Sequence, residues 1–165
     1  MSTLKVSTIE PLDSDTTNTI TIGSSGDTVN LAGTVSGAGI TVAGQFRFTS
    51  NFANAGNGQT EDITANLEEN DTSYSRVGSA ITQSSGIFTF PSTGIYLVTA
   101  LVWFEPTSAS SGVSLFIKGT TDNSSYADLA KITTGSSGSN RPEVITANAM
   151  FDVTDVSTHK IKFAT

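Results

Sequence analysis

The stretch Gly86-Ile-Phe-Thr-Phe-Pro-Ser-Thr-Gly-Ile-Tyr-Leu-Val-Thr-Ala-Leu-Val-Trp-Phe-Glu105 is the densest apolar run in the chain, and its reading decides the fold. From Ile95 to Phe104 nearly every residue is apolar. An extended strand there places Ile95, Leu97, Leu101 and Trp103 on one face and Tyr96, Val98, Val102 and Phe104 on the other, so both faces are expected to be covered. A surface strand would alternate. Gly86, Pro91 and Gly94 divide the run into a short strand, Ile87 to Phe90, a tight corner and a long central strand, and the β-branched and aromatic content disfavours a helix.

Working outward, the composition supports an all-β chain. With 165 residues and 36% hydrophobic content there is material for one ordinary domain and an appendage. Charged residues make up 14%, while Gly, Ser, Thr and Asn crowd the sequence, a mixture that favours short strands and turns over helices. The net charge is −7 and the eight basic residues are scattered singly, which offers no cationic stripe for phosphates and argues against nucleic acid as a partner. The absence of cysteine excludes a disulfide framework, and the first thirty residues lack the apolar core of a secretory signal, so synthesis in a cytoplasm is expected. No run approaches the roughly 20 apolar residues of a membrane helix, so membrane insertion is not expected.

Three regions follow along the chain. Residues 1–17 carry Leu4, Val6, Ile9 and Leu12 in a polar background; too short to bury these side chains alone, the segment is either a frayed terminus or a tail that docks on something else. Residues 18–44 repeat a phrase of two apolar residues spaced by one and followed by glycine: Ile20 and Ile22, Val29 and Leu31, Ile40 and Val42. Each phrase is a miniature strand with one apolar face and no second layer within the segment. A flexible linker has no need of periodic β-branched pairs, so an ordered shaft is the favoured reading, with three chains placing these six residues around a common axis. Residues 45–165 have the texture of a globular β-domain. Strands are expected at Phe46 to Thr49, Ile63 to Leu67, around Val113 to Ile117, Tyr126 to Thr133, Val144 to Phe151 and His159 to Phe163, with Glu68-Glu69-Asn70-Asp71 as an acidic turn. With the central run this makes about eight short strands, the signature of a sandwich or jelly roll.

The segment Ser85-Gly86-Ile-Phe-Thr-Phe-Pro-Ser-Thr-Gly-Ile-Tyr-Leu-Val98 resembles the C1q/TNF-like jelly-roll signature, in which an aromatic-Thr/Cys-aromatic-Pro step leads through Gly-Val/Ile-Tyr into a long apolar strand. Asn70 to Tyr74 and Gly112 to Lys118 fit the same strand order, and the resemblance covers about residues 60–163. It implies a ten-stranded sandwich that associates as a homotrimer. That family ends with a further apolar strand, whereas this sequence stops at Lys162-Phe-Ala-Thr165; either the chain is truncated or another element replaces that strand. Leu4-Lys-Val-Ser-Thr-Ile-Glu-Pro11 and Ile20 to Thr34 resemble the opening of bacteriophage tail-fibre and other virion appendage proteins. This likeness implies a virion-attachment tail at residues 1–17 with Leu4, Val6, Ile9 and Leu12 as the anchor, a β-shaft at 18–44 and a C1q-like head at 45–165. The expected partners are other virion structural proteins at the N-terminus and a host cell-surface receptor. A capsid decoration or head fibre, and a non-viral C1q-like binding module, are the alternatives.

Little in the sequence points to catalysis or to a cofactor. A single histidine, His159, and no cysteine remove most nucleophile–base pairs and common zinc sites. Gly23-Ser-Ser-Gly26 and Gly135-Ser-Ser-Gly138 lack the Gly-x-Ser-x-Gly elbow and read as turns. Asp13 with Asp15, and the cluster Glu68 to Asp71, have the oxygen chemistry of calcium ligands but not the alternating pattern of an EF-hand loop, so solvated turns are the better reading. Trp103 and Tyr96, in the most apolar strand, are expected in the core or at the trimer axis. The loops Asn51 to Thr60, Thr107 to Gly112 and Asp122 to Tyr126 are better placed to recognise a receptor. The shaft reading carries a direct test: Ile22→Asp should bring three like charges together at the axis and lower the thermal midpoint of the assembly, whereas an unchanged melt identifies the segment as a linker.

Overall fold

The computed structural model describes residues 25–26, 39–54, 58–105, 112–135 and 142–165, and Gly39–Thr165 form one compact unit. Its described secondary structure is entirely β: β1 (Phe46–Phe48), β2 (Leu67–Glu69), β3 (Thr82–Ser84), β4 (Ile87–Thr89), β5 (Gly94–Phe104), β6 (Val113–Thr120), β7 (Ala127–Thr134), β8 (Glu143–Val153) and β9 (Lys160–Ala164). Five strands make one sheet in the order β3-β4-β9-β6-β7, while β5 pairs with β8 and β1 with β2 as separate two-stranded sheets. All pairings are antiparallel.

The core lies between the five-stranded sheet and β5–β8. Phe88 of β4, Leu115 and Ile117 of β6 and Ile161 of β9 meet Val98 of β5 and the alternating series Ile145, Ala147, Ala149, Phe151 and Val153 of β8. The period of two along β8 is the direct consequence of the pleat: its odd-numbered residues point inward and its even-numbered ones outward. The result is a sandwich-like packing of two layers.

Strand β6 is the one buried on both faces. Leu115 and Ile117 point into the core, Ile117 with 0% exposure. On the opposite face Phe116 is also buried, with the ammonium groups of Lys118 and Lys131 at 5.1 and 4.9 Å from its ring centroid. The sequence expectation put the central strand at Ile95 to Phe104; the structure corrects this. β5 has β8 on one edge only, and just one of its faces is covered, because the layer it belongs to has nothing stacked on its outer side among the described residues.

The corner between β4 and β5 explains the motif Phe90-Pro-Ser-Thr-Gly-Ile-Tyr96 physically. The Tyr96 ring lies 4.4 Å from that of Phe90, and its hydroxyl donates to the Ser92 carbonyl at 2.9 Å, so the aromatic pair staples both ends of the turn. Gly94 has φ +144°, a conformation that side-chain-bearing residues rarely adopt. The β3–β4 hairpin is as tightly specified. Ser85 and Gly86, both with positive φ, form a two-residue loop of the type that matches strand twist, and a Cβ on Gly86 would lie 2.0 Å from the Ile63 carbonyl oxygen.

Two further expectations are corrected. The strand expected at Ile63 to Leu67 is instead β2, Leu67–Glu69. Ile63 is buried because residues 61–63 run along the end of β9, with the Ile63 amide donating to the Phe163 carbonyl at 2.9 Å. The acidic turn at Glu68 to Asp71 is not a solvated loop. Glu68 and Glu69 lie in β2, where Arg47 of β1 takes Glu68 at 2.8 Å and Asp71 at 2.7 Å, and Arg76 takes Glu69 at 2.8 Å.

Ile117→Ala, which opens a cavity at the fully enclosed position, should cost about 2–5 kcal/mol in denaturant unfolding. Gly86→Ala combines positive-φ strain with a collision against backbone, and should cost about 2–4 kcal/mol. A loss under 1 kcal/mol at both sites would contradict this account of the core and hairpin.

Candidate functional site: an open apolar face and an adjoining slot

Every second residue of β5 points away from the core. Ile95, Leu97, Leu101 and Trp103 are 69%, 74%, 68% and 57% exposed, and across the pairing with β8 stand Val144 and Met150 at 63% and 71%. Register places Leu97 opposite Met150 and Trp103 opposite Val144, with Asp152 opposite Ile95 and Thr146 opposite Leu101, so the six side chains make two apolar clusters, Ile95, Leu97 and Met150 toward one end and Leu101, Trp103 and Val144 toward the other. The centre of the face is polar in a specific way: Thr99 and Asn148 face each other and the Thr99 hydroxyl donates to the Asn148 side-chain oxygen at 2.8 Å. Scattered apolar residues are ordinary on a surface, but six large ones on one two-stranded sheet face are not.

Beside this face lies a cavity of about 520 Å³. Its lining includes the unbroken runs Tyr96–Val102 of β5 and Gly44–Phe48 through β1. Because successive side chains of a strand point to opposite faces, a cavity touched by consecutive residues meets the strand at its backbone edge. Both walls are therefore strand edges. The floor is apolar, with Phe88, Leu115, Ile161 and Phe163 from the five-stranded sheet. Phe46 packs edge-on against Phe88 at 4.9 Å, and Phe88 against Phe163 at 5.3 Å, which holds the floor in place.

The residues singled out from sequence fall as follows. Leu4, Val6, Ile9, Leu12, Ile20, Ile22, Val29 and Leu31 lie outside the described residues. Ile40 and Val42 lie in the same unit as the sandwich, Ile40 77% exposed and Val42 half-buried, next to Ala43, which pairs with Val77. Trp103 stands on the open face; Tyr96 turns inward to Phe90. His159 is buried at the edge of the core, its ring 5.8 Å from Phe151 and its nitrogens within 3.1–3.2 Å of the Thr158 and Thr154 hydroxyls. Asp13 and Asp15 lie outside the described residues. Among the described residues no cluster of three or more His, Asp or Glu is arranged to hold a metal, and no helix is long and apolar enough to cross a membrane.

Of the loops considered for recognition, Thr107 to Ser111 and residues 55–57 lie outside the described residues, while Asp122 to Tyr126 is a well-held turn. The Asp122 carboxylate accepts from the Ser125 amide at 2.7 Å, the Thr120 hydroxyl at 2.7 Å and the Ser124 amide at 2.9 Å. These bonds, the Ser125 amide first, hold its pKa well below the usual carboxylate range. Tyr126, half-buried beneath Lys162, has its pKa raised by burial and then by Asp62 and Asp122. No family model matches the chain, and no curated protein matches it.

Because the folded-state pKa of Asp122 is depressed, its contribution to stability is fully present above the unfolded value of about 3.9 and is lost as pH falls below it. Asp122→Ala should therefore melt below the parent protein at pH 7, with the gap narrowing below about pH 4; a gap independent of pH would contradict the ionised cap.

Proposed function

We propose that this protein is a non-enzymatic structural component of a bacteriophage particle: a trimeric tail fibre with a C1q/TNF-like jelly-roll head, attached to the virion through its N-terminal residues. The observation that carries this reading is the open face of Ile95, Leu97, Leu101, Trp103, Val144 and Met150. Fully burying one such side chain is worth about 1.5–3 kcal/mol, so six at roughly two-thirds exposure offer on the order of 6–12 kcal/mol per chain before ordering costs. That is a large driving force for assembly and a liability for a chain that stays alone. A closed ring of copies buries the face in every subunit, and three copies is the number the C1q/TNF-like resemblance implies.

The same reading gives the N-terminus its role. Leu4, Val6, Ile9 and Leu12 contact other virion proteins, and trimerisation presents three tails at once, so modest contacts per chain combine into durable attachment. Turns such as Asp122 to Tyr126 are carried on the rigid sandwich and meet a host cell-surface receptor. The fibre is assembled in the host cytoplasm and resides in the virion.

Antibody labelling of virions that carry the gene, viewed by electron microscopy, tests this. Label is expected on the tail, and a protein lacking residues 1–17 should still form folded trimers but leave particles unlabelled. Label on the capsid would replace the tail fibre by a head fibre or decoration protein; the absence of label from intact particles would overturn the virion reading.

A further inference from the structure

We infer that a polar pocket beside the β3–β4 hairpin, on the far side of the five-stranded sheet from the core, binds a carboxylate-bearing sugar through Lys160. The cavity, of about 550 Å³, takes Thr82, Ser84, Ser85 and Thr89 from the hairpin, Asn123 from the β6–β7 turn and Lys160 from the start of β9. Strand register explains why they meet. Thr82 stands opposite Thr89, Ser84 opposite Ile87, and Thr89 opposite Lys160. The neighbouring Phe88 and Ile161 point into the core, so these side chains share the outer face of the sheet. Asn123, with φ +58°, is tied to the approach to β9 by its amide, which donates to the Thr158 carbonyl at 3.0 Å.

Lys160 is the residue that calls for a ligand. It is 8% exposed and its ammonium donates to the Val156 carbonyl at 2.7 Å. No carboxylate lies within ion-pair reach of it among the described residues, whereas Lys118 and Lys162, on the same sheet face, are matched by Asp128 and Asp62. An ammonium carries three donors and a full charge, and burial against one carbonyl leaves both demands open. The unit that holds the pocket cannot close it from its remaining residues: within Gly39–Thr165 the stretches outside the described residues, 55–57, 106–111 and 136–141, contain no Asp or Glu.

The rest of the lining sets the class of ligand. The hydroxyls of Thr82, Ser84, Ser85 and Thr89 and the carboxamide of Asn123 have no protein partner among the described residues, and Ile87 adds one partly exposed apolar side chain. One cation among neutral donors and acceptors matches one negative charge on a molecule rich in hydroxyls, with a C–H face for Ile87, and a sugar acid such as a uronic acid has that make-up. A phosphate dianion brings more charge than one lysine balances in a chain of net charge −7. Residues 1–38 contain Glu10, Asp13, Asp15 and Asp27, but a carboxylate side chain answers Lys160 and not the ring of hydroxyls. As the chemistry of a host receptor the inference rests on the reading above, since Asn123 belongs to the turn placed there; as a binding site it stands on the pocket alone, and its test uses no virion, so either can fail without the other.

The probe is methyl galacturonide, with its neutral carboxamide and acetate as controls, titrated into the full-length protein and followed through the amide resonances of Thr82 to Thr89 and Asn123. The sugar acid should shift those resonances to saturation, and the carboxamide and acetate should each bind about tenfold more weakly. Lys160→Met should weaken binding of the sugar acid about tenfold, and Ser84→Ala, at an exposed position with no protein hydrogen bond to lose, should keep the parent's melting point and weaken binding about threefold. Equal binding of acid and carboxamide, acetate binding as tightly as the sugar acid, or full affinity in either variant would overturn the proposal, as would no binding to the parent protein. Binding that arises only after Glu10, Asp13, Asp15 and Asp27 are all replaced by their amides would assign the pocket to the chain's own acids and overturn the assignment to an external sugar.

Discussion

Double burial of β6 is the constraint on which the rest of the sandwich depends. A strand covered on both faces and paired on both edges can tolerate almost no polar side chain pointing inward, and Val113-Ser-Leu-Phe-Ile117 meets that demand with Leu115 and Ile117 inside and Phe116 under two lysine side chains. With β6 fixed, β9 and β7 take its two edges, β4 follows β9, and β3 follows β4 through the Ser85-Gly86 loop. The buried residues of β8 then close over Leu115 and Ile117 to complete the core. The second layer is positioned by the first.

That second layer is where the protein departs from a self-sufficient domain. β5 is the most apolar of the long strands, yet among the described residues it pairs on one edge only and has one face open, and the slot at its side exposes the middle of the facing sheet. The open face is the observation behind the proposed assembly. The polar pair Thr99 and Asn148 at the centre of the open face fits that view, since a hydrogen-bonded couple amid apolar surface favours one registry of contact over others.

How much of this was legible beforehand differs from element to element. The short apolar-rich runs between turn signals located β1, β6, β7, β8 and β9 to within a few residues, and in β8 the burial of one face shows as a strict period of two. The Phe90 to Tyr96 corner was legible as a motif, and its aromatic staple and glycine account for it. For β5 the apolar run was read as a central strand, and here composition carries no distinction: a face covered by the protein's own second layer and a face left open for another chain use the same residues. β3 was missed because Thr82-Gln-Ser84 has no apolar signature; the Ser-Gly dipeptide after it was the signal that could have revealed the hairpin. The acidic cluster misled because its partner Arg47 lies more than twenty positions away, across β1 and β2. The slot was invisible for a related reason, since it is made by two edges that no local pattern brings together.

The central claim is that the open face of β5 and β8 is built to be covered by other copies of the chain. Sedimentation equilibrium of the full-length protein, run across a hundredfold range of concentration at neutral pH, tests it most directly. The account predicts a single species of three chains that persists on dilution; a folded, non-associating monomer across the whole range would contradict it.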